Sequence, residues 1–314
     1  VRAVVTGASG FIGAHLTQAL SAAGVETTPL VRATSSSARL ARLLGPALGG
    51  LTPRVVDLAS PIEMDRALAD ARPEVVFHLA GDARPSAPEA DEARMVALHV
   101  DAAVRVAEAA LRAGVRRVVA LSTSDVYGRL ASPHNPEVAE APCSAYARSK
   151  ARGDAEIRRL YAERGLDVVI LRPYSVYGPE QPERAFVASL IEACAHDRPF
   201  PMTDGRQRRD FIHVSDVAEA LLHAAAAPPE LAGCTLDVCT GVATPVLEVA
   251  ELVARELGCQ QGGPVPGALP RRADEPDDHF GNPARTEARL GWRPKISLDE
   301  GLKTLVAERR SDRR

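Results

Sequence analysis

Tyr146 and Lys150 stand four residues apart in "SAYARSK", and Thr123 in "LSTSDVYG" precedes Tyr146 by 23 residues. On a helix, that spacing puts phenol and ammonium on one face, separated by about 6 Å of rise. An ammonium beside a phenol favours the phenolate and lowers a tyrosine pKa from its free value of about 10. Such a tyrosine can exchange a proton with a sugar hydroxyl or a carbonyl while hydride moves to or from a nicotinamide. Thr123, at a strand end, would bond the same oxygen. A Tyr/Lys pair alone is commonly a helix-surface contact, so the reading depends on the segments around it.

The segment "TGASGFIGAHL" carries Gly7, Gly10 and Gly13 between a β-branched run and a helix whose Ile12, Leu16 and Leu20 share a side. Glycines let the backbone approach a pyrophosphate, and the helix N-terminus offers unpaired N–H groups with partial positive charge. The spacing differs by one residue from the common G-x-G-x-x-G, and a tight turn alone would also require glycine. Asp57 in "VVDLAS" and the run His78–Gly81 ("HLAG") follow later strands, at the edge where such folds bind ligands. Asp57 can accept from an adenine amino group or cap the helix of "SPIEMDRAL".

These residues need a scaffold, and the chain supplies one. The runs "VRAVVTG", "VETTPLV", "PRVVD", "PEVVFHLAG", "VRRVVALST" and "LDVVILRP" alternate with helical patterns, and "CTLDVCTG" follows later. Alternation of this kind predicts a parallel sheet covered on both faces. Val96, Val100, Ala103, Val104, Ala107 and Leu111 repeat near 3.6, predicting a helix over 91–113 that stops at Gly114. After residue 172, Pro, Gly and charge accumulate in a loop-rich region. The expected domains are 1–172 plus about 210–245 for the dinucleotide, and 173–209 plus about 246–314 for the substrate.

Composition excludes other classes. With 314 residues, a net charge of −3 and 4% aromatics, there is no basic surplus or ring supply for nucleic acid. No apolar run reaches a membrane span and no signal peptide is recognisable, so a cytoplasmic location is expected. Five cysteines without a Cys-x-x-Cys pair argue against a disulfide framework and a zinc site, and no metal is expected.

Together, "TGASGFIG", "HLAG", "STSDVYG", "YARSK", "LRPYSVYGP", "RRDFIHVSDVAEAL" and "LGWRPKISLDEGL" resemble the extended short-chain dehydrogenase/reductases of the nucleotide-sugar epimerase/dehydratase family, from the first strand to about residue 303. The resemblance implies an α/β fold, a modified Rossmann doubly wound parallel sheet with a smaller, loop-rich C-terminal substrate domain. It implies catalysis by Thr123, Tyr146 and Lys150 on a nucleoside-diphosphate sugar. It places the cofactor against Gly7, Ser9, Gly10, Phe11, Ile12, Gly13, Asp57, Leu58, Leu79, Ala80 and Gly81, with Tyr146 and Lys150. It places substrate against Arg84, Ser124, Tyr146, Tyr174, Ser175, Arg209, Arg272 and His279. It also implies a homodimer through the helices near 91–113 and 145–164.

Departures from the family pattern narrow the reaction. Dehydratases of this type carry an Asp-Glu pair after the threonine, whereas Ser124 and Asp125 stand here as auxiliary groups, which disfavours dehydration. Ser175 replaces an asparagine often directed at the diphosphate, and His99 replaces another asparagine. Arg209 and Arg272 match diphosphate-binding positions, with surface arginines as the plain alternative. His279, near Asp277 and Asp278, lacks further metal-ligand spacing and is expected at a loop surface or on the sugar. At the end of the second strand, "TPLVRATSSS" carries Val31 and Arg32 where an acid would select NAD. Arg32 can pair with a 2′-phosphate, and Ser35, Ser36, Ser37 or Arg39 can add donors, so NADP(H) is favoured over NAD(H). The leading expectation is an NADPH-dependent ketoreductase acting at C4 of a nucleoside-diphosphate 4-keto-deoxysugar. A 4-epimerase with retained cofactor and a non-catalytic cofactor sensor or scaffold are the alternatives.

Overall fold

The computed structural model describes residues 1–45, 50–82, 91–272 and 274–311. Strands β1 (Arg2–Thr6), β2 (Glu26–Val31), β3 (Arg54–Val55), β4 (Val75–His78), β5 (Arg117–Leu121) and β6 (Val168–Pro173) join Thr235–Val238 in one sheet. Its order is Thr235–Val238, β6, β5, β4, β1, β2, β3, with every pair parallel. The order reverses between β1 and β4, which opens a crevice at their carboxyl ends. All seven expected strands are therefore present in a single sheet.

Helices α1 (Phe11–Ala22) and α2 (Ala38–Leu44) follow β1 and β2, and α3 (Pro61–Ala71) follows β3. After β4 come α4 (Glu92–Val96) and α5 (Ala102–Arg112), and α6 (Ala145–Arg164) precedes β6. On one face Leu16, Leu20, Val217 and Leu221 pack against Val5, Phe77 and Val119. Met64, Val106, Ile157 and Leu160 pack on the other against Val4, Val76 and Val118. Serial burial on both faces is why β1, β4, β5 and β6 read as nearly unbroken apolar runs.

Two helix features fix the site. Ser144 Oγ accepts from Ala147 N at 3.1 Å and starts α6, while Gly165 at φ +70° ends it. The helix predicted over 91–113 is continuous but not uniformly α, because Ala97–Asp101 form a π-helical turn between α4 and α5. That turn carries His99 against α6. A Cβ on Gly153 of α6 would lie 2.2 Å from the His99 carbonyl oxygen, so glycine is what lets the two backbones meet. The exposed edges of α5 and α6 present Arg112, Arg152, Arg159 and Glu163 along with Tyr161, a largely charged surface with one aromatic ring.

Beyond β6 a second core gathers Tyr177, Leu190, Met202, Phe211, Val249, Val253, Leu302 and Leu305. Short strands within it escape sequence periodicity: Thr244–Pro245, Arg208–Arg209 and Asp278–His279 form a small sheet. We propose the division into 1–172 plus about 210–245 and 173–209 plus about 246–314 as the domain organisation. Trp292 and Phe211 depart from it, since the buried indole packs into the first core and Phe211 into the second. Among the described residues, no helix is long and apolar enough to cross a membrane.

Gly153→Ala should lower unfolding stability by about 1 to 3 kcal/mol, because the obstacle is a backbone carbonyl rather than a flexible side chain. Urea unfolding checks this; an unchanged midpoint would show that the π-helical turn yields at no cost.

Candidate active site

Thr123 lies just past β5 in extended conformation, and its Oγ1 accepts from Asp125 N at 3.2 Å. Tyr146 stands in the first turn of α6, where the nearby Thr123 hydroxyl favours its phenolate. One turn on, Lys150 Nζ donates to the Leu121 carbonyl at 2.7 Å. A further turn brings Asp154, whose carboxylate accepts from Ser122 Oγ at 2.6 Å and from Arg172 at 3.1 Å. Tyr146, Lys150 and Asp154 thus form a stripe at i, i+4 and i+8 against the end of β5. Asp154 was not singled out from the sequence, although the repeated spacing of four is the signal that would have found it.

The electrostatics correct one expectation. Burial, and then the Asp125 carboxylate, hold the Tyr146 phenol above its ordinary range, and the Thr123 hydroxyl only partly opposes them. Lys150 is itself pushed down by burial, with Asp154 opposing. The phenol is therefore protonated in the free protein, because desolvation of a phenolate outweighs the stabilisation expected from a lysine one turn away.

His99 acquires a role that the sequence left unexplained. Asp82 N donates to its Nε2 at 3.0 Å, so its Nδ1 donates to Ser149 Oγ at 2.8 Å, and Ser149 bonds the Tyr146 carbonyl at 2.8 Å. This ring joins the loop after β4 to the first turns of α6, and it sits edge-on to Tyr146 with centroids 5.5 Å apart. Burial, with Lys150 adding to it, lowers both His99 and His78 to about 3, so both are neutral.

The glycine loop is built for an anionic ligand. Gly7 has φ +72°, and a Cβ there would lie 2.8 Å from Ala80 Cα, so the loop and the "HLAG" segment meet backbone to backbone. A Cβ on Gly13 would lie 2.2 Å from the Gly7 oxygen. Thr6 Oγ1 lies 2.9 Å from His78 Nδ1 and accepts from Ala80 N at 3.2 Å, fixing Leu79, Ala80 and Gly81 beside the loop. Helix α1 starts at Gly10 with no side-chain cap, which leaves its first N–H groups, from Phe11 onward, to a phosphate. Ser9 and Ile12 are half-buried in the same turn. These residues fit a dinucleotide pyrophosphate.

Around the adenosine side several expectations change. Asp57 does not cap α3: Ser60 does, accepting from Glu63 N at 3.4 Å, while Asp57 Oδ1 accepts from Ala59 N at 2.9 Å in an exposed turn beside Leu58. Val31 is buried in the core, and of the pair at the end of β2 only Arg32 is exposed. Ser36 Oγ accepts from Ala38 N at 3.2 Å, and Ser37 precedes α2 without a side-chain cap bond. Arg39 is not a free donor, because Ser9 and Glu180 carbonyls hold its guanidinium.

On the opposite bank, the small sheet sets Arg209 beside His279. His279 is not at a loop surface: it is buried, its Nε2 is 3.0 Å from Ser124 Oγ and 3.9 Å from Asp125, and burial beside His134 lowers it to about 3. Arg209 pairs with Glu275 at 2.8 Å and Arg272 lies 3.8 Å from Asp274. Both guanidiniums act on Asp125, whose carboxyl burial nonetheless raises above its ordinary value. The Tyr174 hydroxyl is engaged by His134 at 3.1 Å, leaving only its ring for a ligand, and Ser175 is half-buried at the start of a short strand. Arg84 lies outside the described residues. Among the described residues, no three His, Cys, Asp or Glu side chains cluster to hold a metal ion.

A switch-point crevice flanked by a glycine cradle and a Thr/Tyr/Lys set fits a dinucleotide-dependent enzyme of Rossmann type. Residues 3–236 match the model of the NAD dependent epimerase/dehydratase family, and the chain belongs to that family of enzymes. It is 33% identical over 315 residues to UDP-glucose 4-epimerase of Mycolicibacterium smegmatis, covering 98% of this chain and 97% of that one. It is 27% identical over 319 residues to GDP-6-deoxy-D-mannose reductase of Pseudomonas aeruginosa, covering 98% and 96%. The Thermus thermophilus UDP-glucose 4-epimerase, solved as a complex with NAD, superposes with a TM-score of 0.87 at 28% identity over 99% of each chain.

The neutral histidines make stability depend on pH. His78, His99 and His279 sit at about 3 when folded against a reference of 6.5, so the unfolded chain binds more protons below 6.5. Their stabilising contribution is full above about pH 6.5 and is lost as pH falls toward 3, each costing about 1 to 2 kcal/mol by pH 5. His99→Asn should flatten the fall in urea midpoint between pH 7 and pH 5. An unchanged slope would mean that His99 binds protons alike in the folded and unfolded chains.

Proposed function

We propose that this protein is a nucleoside-diphosphate-sugar 4-epimerase whose nicotinamide dinucleotide stays bound through turnover. The observation that carries this reading is the grouping of Thr123, just past β5, with Tyr146 and Lys150 one turn apart on α6, Lys150 being bonded to the Leu121 carbonyl at the carboxyl edge of β5. The epimerase relative, matched over nearly the whole chain, supports epimerisation above the net reduction that the residues alone favoured.

A bound nicotinamide dinucleotide supplies the hydride acceptor and donor. Tyr146 would remove the proton from the sugar C4 hydroxyl and return it after the ring has turned, with Thr123 holding the same oxygen. Because burial favours the neutral phenol, Tyr146 needs a nearby cation to act as base, and Lys150 is the group this chain supplies for that purpose. Arg209 and Arg272 would hold the diphosphate, the first by sharing or leaving Glu275. Ser124 stands where dehydration needs an acid and is bonded to His279, which argues against elimination of water. A homodimer through α4, α5 and α6 belongs to this reading and would be held by charge pairs across their polar edges.

Arg32 favours a second reading, an NADPH-dependent C4 ketoreductase of 4-keto-deoxysugars. Its guanidinium is exposed and has no ion-pair partner among the described residues, so it can meet a 2′-phosphate. The reductase relative supports the same reading. A non-catalytic sensor is disfavoured by the intact Thr/Tyr/Lys set.

Tyr146→Phe should lower turnover by about 10² to 10⁴, and Thr123→Val by less, with folding unchanged. Epimerisation requires sugar interconversion with constant absorbance at 340 nm, whereas one NADPH oxidised per product would establish the reductase. Separately, Arg32→Glu should shift cofactor preference toward NAD by roughly 10- to 150-fold if Arg32 binds a 2′-phosphate. Equal NADH and NADPH affinities in both proteins would remove Arg32 from the cofactor site.

A further inference from the structure

The chain that leaves the short strand Ser175–Tyr177 begins at the carboxyl end of β6, on one side of the crevice, and is tied to the other side at residues 179 and 180. His15 Nε2 of α1 is 2.9 Å from the Pro179 carbonyl oxygen. A carbonyl oxygen can only accept, so Nε2 carries the proton and donates that bond. Arg39 of α2 donates through Nε to the Glu180 carbonyl at 2.8 Å and through Nη1 to the Ser9 carbonyl at 2.9 Å. One guanidinium therefore joins this loop to the glycine cradle. Arg42, one turn along α2, meets the Glu180 carboxylate in two parallel bonds of 2.7 and 2.6 Å. Glu180 itself holds φ +59°, a conformation that costs a non-glycine residue energy and persists where surrounding contacts dictate it.

Topology gives these contacts a consequence. Strands β5 and β4 separate β6 from β1, and the switch point lies between β4 and β1. A loop rooted at β6 and fastened to α1 and α2 therefore links the two banks of the crevice. We propose that Arg39, Arg42 and Glu180 form a clasp that closes the dinucleotide crevice and limits cofactor exchange. The proposal rests on the reading of the crevice as the cofactor site and deepens it: an enzyme that reuses one cofactor gains from slow exchange. Arg39 and Arg42 are then positioning residues, acting on the loop and the cradle rather than on the reacting atoms. With Arg39 and Arg42 committed to Ser9 and Glu180, Arg32 is the one of these three guanidiniums with neither a hydrogen-bond nor an ion-pair partner among the described residues.

The two arginines should differ in weight. The Arg42 side chain is 60% exposed, so its pair with Glu180 is screened, whereas Arg39 is half-buried and bonds two carbonyls. The test follows nicotinamide fluorescence of NADH and NADPH in stopped flow, with association by mixing and release by chase with the oxidised cofactor. Arg39→Met should raise both association and release about tenfold, and Arg42→Met both about threefold, since opening a clasp speeds passage in each direction. The wild-type unfolding midpoint and UDP affinity should be retained. Unchanged rates in both variants would overturn the clasp, and so would faster release with unchanged association, which would make Arg39 a plain ligand or cradle support. Failure of the wild type to bind either cofactor would instead overturn the assignment of the crevice, and the clasp with it.

Discussion

One buried carboxylate sets the geometry on which the site depends. Asp154 accepts from Ser122, one residue beyond β5, and from Arg172 in β6, so a single side chain ties α6 to two adjacent strands at their carboxyl edge. Lys150 lies one turn earlier and Tyr146 two turns earlier on the same helical face, so the rotation of α6 that satisfies Asp154 also turns both toward the end of β5. Arg172 is fully buried, contacts Glu140 as well, and stacks over the Tyr127 ring at 5.2 Å. A buried ion pair of this kind contributes little net stability compared with apolar packing, but breaking it leaves an uncompensated charge and costs about 3 to 5 kcal/mol. Its effect is to permit one register of helix on sheet.

The second determinant is neutrality. His78, His99 and His279 surround the site as uncharged rings, each using a ring nitrogen to fix a loop or a hydroxyl. Because burial keeps them unprotonated, positive charge near Tyr146 is concentrated at Lys150 rather than spread over three imidazoles. His99 does the most structural work, holding the loop after β4 to the first turns of α6. It sits within the π-helical turn between α4 and α5.

The two banks of the crevice are built by different means. The dinucleotide side centres on a strand, a glycine turn and a helix that are contiguous in sequence, with the "HLAG" segment docked against them. The opposite bank is assembled from distant pieces: residues 208–209, 244–245 and 278–279 meet in two-residue strands. Asp210 reinforces the assembly by accepting from Thr240 N, Thr240 Oγ1 and Gly241 N at 2.8, 2.7 and 2.8 Å. That construction brings His279 to Ser124 across 155 residues of chain.

What the sequence by itself determined follows from this contrast. The seven-stranded sheet, the glycine cradle and the Tyr146–Lys150 face were legible because each rests on local periodicity or spacing: period two or unbroken apolar runs for strands, 3.6 for helices, and glycines where backbone must approach backbone. The tertiary structure decided the rest. Burial, not proximity to Lys150, dominates the ionisation of Tyr146, and burial is a property of the packed chain. The inward turn of Val31, the capping of α3 by Ser60 rather than Asp57, the capture of Arg39 by Ser9 and Glu180, and the interior position of His279 each depend on neighbours that local patterns do not specify. A residue's type limits what it can bond; only the fold determines which partners reach it first.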